Sequence, residues 1–190
     1  MTRRLETNKV SRLPAIQTET ANGKAKQLLE AVQSKLKMTP NMTRVMANSS
    51  AVLEGYLSFS GALAGGSLPA KLREELALVV GEQNACQYCV SAHTAIGKLT
   101  GLTDVEIEQA RDARSNSAKS AAALSFARQV LASRGQVTDA DFEAVRQAGF
   151  GEGEVAEIIA HVALNVFTNY FNLAAGTDVD FPKISLRRAA

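Results

Sequence analysis

Apolar positions along the chain recur every three or four residues, the period of a helix with one buried stripe. From Ala21 to Lys37 the stripe is Ala25, Leu28, Leu29, Val32 and Leu36. Pro40 breaks that run, and Asn41 caps a short segment from Met42 to Ala47. Ser49 or Ser50 opens the next helix, whose stripe includes Leu53, Tyr56, Leu57, Leu63 and Ala64 and which Gly65–Gly66 ends. Ser67 ahead of Pro69 reads as a helix start, with Leu72, Leu76, Val79 and Val80 as the buried face down to about Gln83 or Asn84. A break at Asn84–Ala85 brings Cys86 to the start of another helix, which runs to Leu99 and stops at Gly101. Thr103 with Glu106 is a capping-box signature for a helix through Arg111. An Ala-rich helix spans Ser117 to Ser133, another opens at Thr138 or Asp139 and ends at Gly149, and a long one runs from Glu152 or Glu154 to near Gly176. The stretches Gln136–Thr138 and Val179–Phe181 are too short to build a sheet. The pattern predicts an all-α bundle of about eight helices. It forms one domain (21–176), flanked by an irregular N-terminal arm (1–20) and an extended C-terminal tail (177–190).

Composition narrows the class. With 46% hydrophobic and 21% charged residues over 190 positions, the chain is globular in character and excludes disorder, collagen and a disulfide scaffold. The charge sum of 21 − 19 = +2 is too even for a nucleic-acid or anionic-membrane partner. Arg3, Arg4, Arg187 and Arg188 place part of the surplus at the ends, where it reads as solvated. Aromatic residues reach only 5% and tryptophan is absent, which leaves little from which to build a stacking platform for single strands. The first residues lack the apolar core of a secretory signal. The most apolar stretch, Val155 to Gly176, is interrupted by Glu157, His161, Asn165, Asn169 and Asn172. A cytoplasmic protein is expected, and in a reducing compartment its two cysteines are not a permanent staple.

Their spacing suggests another use. Cys86 and Cys89, at i and i+3 on a first helical turn, share a face and can close a small disulfide. Unpaired N–H groups at such a terminus favour a thiolate, the reactive form of sulfur. His93 lies one turn beyond Cys89 and two beyond Cys86, in position to exchange a proton with a thiol. The same Cys-x2-Cys-x3-His spacing is also most of a zinc site, but the other histidine, His161, is far along the chain. Glu74, Leu78 and Gly81 form a row beside the apolar stripe of the preceding helix. If that row faces the cysteine helix, Glu74 is a partly buried carboxylate suited to passing protons, with Glu75 as its solvated neighbour. Glu82, one turn before Cys86, can reach the site but reads better as a helix-end surface charge. His161, set among Ile158, Ile159, Val162 and Leu164, reads as a core histidine. Asn165, Asn169 and Asn172 share one helical face, where cross-bonding between helices is favoured over lining a pocket.

Glu74, eleven residues, Cys86-Gln-Tyr-Cys89, three residues and His93 make the pattern E-x11-C-x2-C-x3-H. This resembles the AhpD-like alkylhydroperoxidases of the carboxymuconolactone decarboxylase superfamily, with the strong match over about 50–101. The asparagine-bearing last helix is similar to that of the superfamily's peroxidase-related branch. The resemblance implies a helical bundle assembled into trimers or hexamers. It also implies thiol-dependent reduction of hydrogen peroxide or organic hydroperoxides, without a cofactor or metal. By the same resemblance Cys89 would be the peroxidatic sulfur, Cys86 the resolving one, and Glu74 with His93 the proton relay. A dithiol reductant, lipoylated or thioredoxin-like, would reopen the resulting disulfide. Tyr88 stands where the best-known members carry histidine, and either packs or hydrogen-bonds near the site. Two alternatives remain: a decarboxylase-type reaction on a small lactone, whose enzymes lack the cysteine pair, and a zinc-stabilised or redox-switching interaction protein.

Overall fold

In a computed structural model, which describes residues 11–187, the chain folds into nine helices and no strand among those residues. They are α1 (Gly23–Leu36), α2 (Asn41–Met46), α3 (Ser50–Ala64), α4 (Ala70–Gln83), α5 (Gln87–Leu99), α6 (Asp104–Arg111), α7 (Ala118–Ala132), α8 (Asp139–Gln147) and α9 (Glu152–Ala175). Side-chain caps fall where the sequence puts them. Ser49 and Ser117 accept from the first turns of α3 and α7, and Thr103–Glu106 and Thr138–Asp141 close reciprocal capping boxes on α6 and α8. The start of α4 differs from expectation. Pro69 is its N-cap, and the Ser67 and Leu68 N–H groups both donate to the Glu157 carboxylate of α9. That long-range anchor outcompetes a local serine cap.

Helix α4 is the hub, packed against α5, α6, α7 and α9. Leu76, Leu78, Val79 and Val80 are fully buried in a core completed by Ile107, Leu124, Phe126, Ile158 and Val162. A second cluster gathers α1, α2 and α3 around Leu29, Met46 and Leu53. A third, smaller one holds Cys86, Tyr88, Cys89 and Ala92 beneath Val179 and Phe181 of the tail. Helix α9 is long and apolar enough to cross a membrane by length and composition, but half of its most apolar window is buried inside the fold. Its buried face also carries His161, Asn165, Asn169 and Asn172, as a core helix with polar work to do would.

The first and last described segments both lie against the bundle. The Arg12 N–H donates to the Ala175 carbonyl at 2.7 Å, and the Ile16 N–H donates to the Arg44 carbonyl at 3.1 Å. Arg187 is not a solvated end: it pairs with Glu108 and Asp112, acids the returning tail meets on and just after α6. Arg3, Arg4 and Arg188 lie outside the described residues.

Candidate active site

The site is assembled at the junction of α4 and α5. After Gln83 the chain turns through Asn84 and Ala85, whose φ of 51° is left-handed. The Ala85 N–H bonds the Glu82 carbonyl at 3.1 Å and the Cys86 N–H bonds the Gly81 carbonyl at 2.9 Å. This paired closure of the last turn sends the chain straight back into α5 with Cys86 as its N-cap. The two helices approach closely at Gly81, where a Cβ would sit 3.3 Å from Val90 Cγ2 and 3.6 Å from Cys89 Cβ.

Cys86 and Cys89 form a disulfide with Cα atoms 5.3 Å apart. Cys86 Sγ also accepts from the Cys89 N–H at 3.3 Å, so this sulfur caps the helix. Both residues are buried, at 1% and 3% exposure, and of the two it is Cys89 that lines the cavity described below. His93 follows one turn along, and its Nδ1 lies 2.7 Å from Glu74 Oε2 on α4. With the Nδ1–H donated to the carboxylate, Nε2 is left as the basic nitrogen of the ring. The expected row of Glu74, Leu78 and Gly81 thus does face α5.

The other expected residues divide. Tyr88 both packs and hydrogen-bonds: its ring meets Phe181 edge-on at 5.8 Å between centroids, and its hydroxyl accepts from the Met42 N–H at 3.1 Å. Burial, with Asp180 nearby, pushes that phenol far above the ordinary tyrosine range. Glu82 is not a surface charge. It is 2% exposed; Oε2 accepts from Arg111 Nε at 2.8 Å and Oε1 from the Arg187 N–H at 2.7 Å. Both oxygens are engaged on the side of α6 and the tail, and Glu82 does not line the cavity. Glu75 is likewise buried, at 5% exposure, rather than solvated. Burial raises its carboxyl above the usual range despite a hydrogen bond with Ser120. Both corrections have one cause: α4 is enclosed on every side, so its non-stripe positions are interior too.

A cavity of about 450 Å³ opens between the α1–α3 layer and helices α4, α5 and α9. Cys89, His93, Glu74 and Tyr88 line one part of it, while Val32, Leu57, Ala77 and Ile96 make apolar walls. His161, Asn165 and Asn172 of α9 also line it, contributions that the spacing pattern around the cysteines does not announce. The three asparagines do not act together. Asn165 bonds back to its own helix, Asn169 bridges to Asn84, and Asn172 Nδ2 lies 3.5 Å from Cys89 Sγ. Among the described residues no three acidic, histidine or cysteine side chains gather as a metal-binding group.

A helical bundle with a dithiol at a helix mouth, backed by imidazole and carboxylate, is the architecture of AhpD-like proteins. Residues 50–133 match the sequence model of the carboxymuconolactone decarboxylase family, which together with the structural likenesses supports membership of the AhpD/carboxymuconolactone decarboxylase superfamily. It is similar in structure to the AhpD core of a peroxidase-related protein from Ralstonia eutropha JMP134. The TM-score is 0.82 at 26% identity, over 90% of this chain and 93% of that one. A peroxidase-related protein from Silicibacter sp. TM1040 gives 0.80 at 23% identity, over 92% and 94%. The fold is shared with the debrominase Bmp8, solved with 2,3,4-tribromopyrrole: TM-score 0.74, 18% identity, over 92% and 93%. No curated protein matches the chain.

Proposed function

We propose that the protein is a cytoplasmic thiol peroxidase that reduces hydrogen peroxide or organic hydroperoxides with Cys89 and Cys86. The carrying observation is the Glu74–His93 hydrogen bond of 2.7 Å, set one helical turn from Cys89 in the cavity that both residues line. In the reduced enzyme, Glu74 holds the His93 Nδ1–H, and Nε2 takes the proton of the Cys89 thiol. The thiolate attacks one peroxide oxygen, the O–O bond breaks, and the alcohol (or water) departs with the proton from His93. Cys89 is then a sulfenic acid. The Cys86 thiol attacks that sulfur, water leaves, and the disulfide forms. The balance is one hydroperoxide and two thiols giving one alcohol, one water and one disulfide. An external dithiol, of the lipoylated or thioredoxin-like kind, returns the two electrons by exchange. The apolar walls and volume of the cavity favour an organic hydroperoxide, since hydrogen peroxide needs little more room than a water.

Peroxide consumption coupled to a dithiol reductant tests the scheme. Cys89→Ser should fall to background, and Cys86→Ser should form a sulfenic acid without recycling it. A double cysteine variant that keeps full activity while Glu74→Gln or His93→Ala loses it would transfer the site to lactone chemistry. A disulfide that serves as a working state rather than a staple suits a reducing compartment. Self-association into a trimer or hexamer belongs to the same reading. It is supported by Phe59, Phe167, Tyr170 and Leu173, all at least 40% exposed. Sedimentation should give a trimer or larger; a compact monomer would remove that part.

A further inference from the structure

Asn172 shares a helical face with Asn165 and Asn169, but its partners are of another kind. Asn165 Nδ2 donates to the His161 carbonyl at 2.8 Å, and Asn169 Oδ1 accepts from Asn84 Nδ2 at 3.0 Å. Asn165 is thus turned back on its own helix at the cavity wall, and Asn169 braces α9 to the turn before α5. Asn172, 3% exposed, turns Nδ2 to two sulfurs instead: Met42 Sδ at 3.2 Å and Cys89 Sγ at 3.5 Å. Its buried Oδ1 has no hydrogen-bond partner among the described residues. A carboxamide placed this way holds nothing together, because divalent sulfur is a weak acceptor.

Reduction changes that sulfur. A thiolate carries a full charge, and hydrogen bonds to ionised acceptors are roughly twice as strong as neutral ones. The Cys89 backbone N–H is already committed to Cys86 Sγ, so it is the Asn172 amide that reaches Cys89 from outside its own helix. A bond that strengthens in one state favours that state. We propose that Asn172 is a positioning residue for the reactive sulfur, its side-chain amide donating to Cys89 and holding it as the thiolate once the disulfide is opened. This rests on Cys89 being the attacking sulfur.

Other ionisable groups face the same cavity and share in setting the titration. Lys35 comes from α1 and Tyr56 from α3, Arg73 and Glu74 from α4, Tyr88 and His93 from α5, and His161 from α9. Asp180 of the tail adds its charge beside Tyr88. All of them are retained when only Asn172 is changed, so the difference between variants belongs to the amide.

The test is the pH dependence of Cys89 alkylation by iodoacetamide, in full-length reduced protein with Cys86→Ser as background. Asn172→Leu, similar in volume but without the donor, should move the midpoint up by about one pH unit. Asn172→Asp, which puts a carboxylate where the donor was, should move it up at least as far, and Asn172→Gln should recover part of the shift. Midpoints of the Leu and Asp variants that coincide with the background protein would overturn the proposal. If the Leu variant fails to fold, Asn172→Ala carries the test, since it removes the donor without adding a charge, and a midpoint equal to the background protein's overturns the proposal. The readout needs no peroxide turnover. A protein inactive with every hydroperoxide but showing the shift would lose the peroxidase reading and keep this one, and an active peroxidase with no shift would do the reverse.

Discussion

His161 is 6% exposed, and its Nε2 has no hydrogen-bond partner among the described residues. Burial lowers its pKa below the ordinary 6.5, and the Arg73 charge adds to the effect. Glu157 and Glu74 pull the other way, and His93 lowers it slightly further. The folded protein therefore binds fewer protons at this site than the unfolded chain does. Its contribution to stability is complete above the unfolded value and is lost as pH falls through about 6.5 toward the folded one. Glu75 has the opposite sign, since its raised pKa makes acidification toward the carboxylate range relieve a cost. The two are separated by difference. The wild-type melting temperature should drop more between about pH 7.5 and about pH 5.5 than that of His161→Leu, which has no proton to gain in that window. Parallel drops in the two proteins would mean that the imidazole takes up its proton in the fold as readily as in the unfolded chain.

At the scale of elements, the α4–α5 pair shows what periodicity reports and what it omits. The row of Glu74, Leu78 and Gly81 is legible because helix geometry alone puts i, i+4 and i+7 on one face. That face does meet α5, through the Glu74–His93 bond at one end and the Gly81 approach at the other. The capping boxes of α6 and α8 are legible for the same reason: their partners lie three residues apart. The burial of Glu75 and Glu82 is not, because a stripe predicts one covered face and α4 is covered on all of them. The start of α4 is legible at Ser67–Pro69, but its anchor is not, because Glu157, some ninety residues away, takes the N–H groups of Ser67 and Leu68. Nor does spacing distinguish Asn172 from Asn165 and Asn169, since all three lie on one face. The helix's placement against α2 and α5 assigns one to the sulfurs, leaves one bonded back to its own helix and makes the third a brace to Asn84. Local chemistry was readable, and chemistry that depends on what lies across a tertiary contact was not.

Over the whole molecule, the returning tail encloses the disulfide. Val179 and Phe181 pack on Cys86, Tyr88 and Cys89, and the Ile184 N–H donates to Ser91 Oγ at 3.0 Å. Farther along, Arg111 Nη2 donates to the Ser185 carbonyl at 2.7 Å, and the Arg187 N–H donates to Glu82 Oε1 at the same distance. Glu82 and Arg111 are thus the buried ion pair that ties α4, α6 and the tail together, with side chains 2% and 4% exposed. Removing one charge of such a pair leaves the other desolvated, a loss of about 3–5 kcal/mol. Glu82→Gln should fall near the lower end, about 3 kcal/mol, because Glu108 still faces Arg111 Nη1; the urea midpoint reads it. The same substitution weakens the acceptor for Arg187, so the tail should lift more often and expose the sulfurs. Dithiothreitol should then reduce the Cys86–Cys89 bond faster than in wild type, under conditions where both proteins remain folded. A lower urea midpoint with an unchanged reduction rate would separate the two effects. The ion pair would then hold α4 to α6, and a reductant would reach Cys89 through the cavity it lines, with the tail in place.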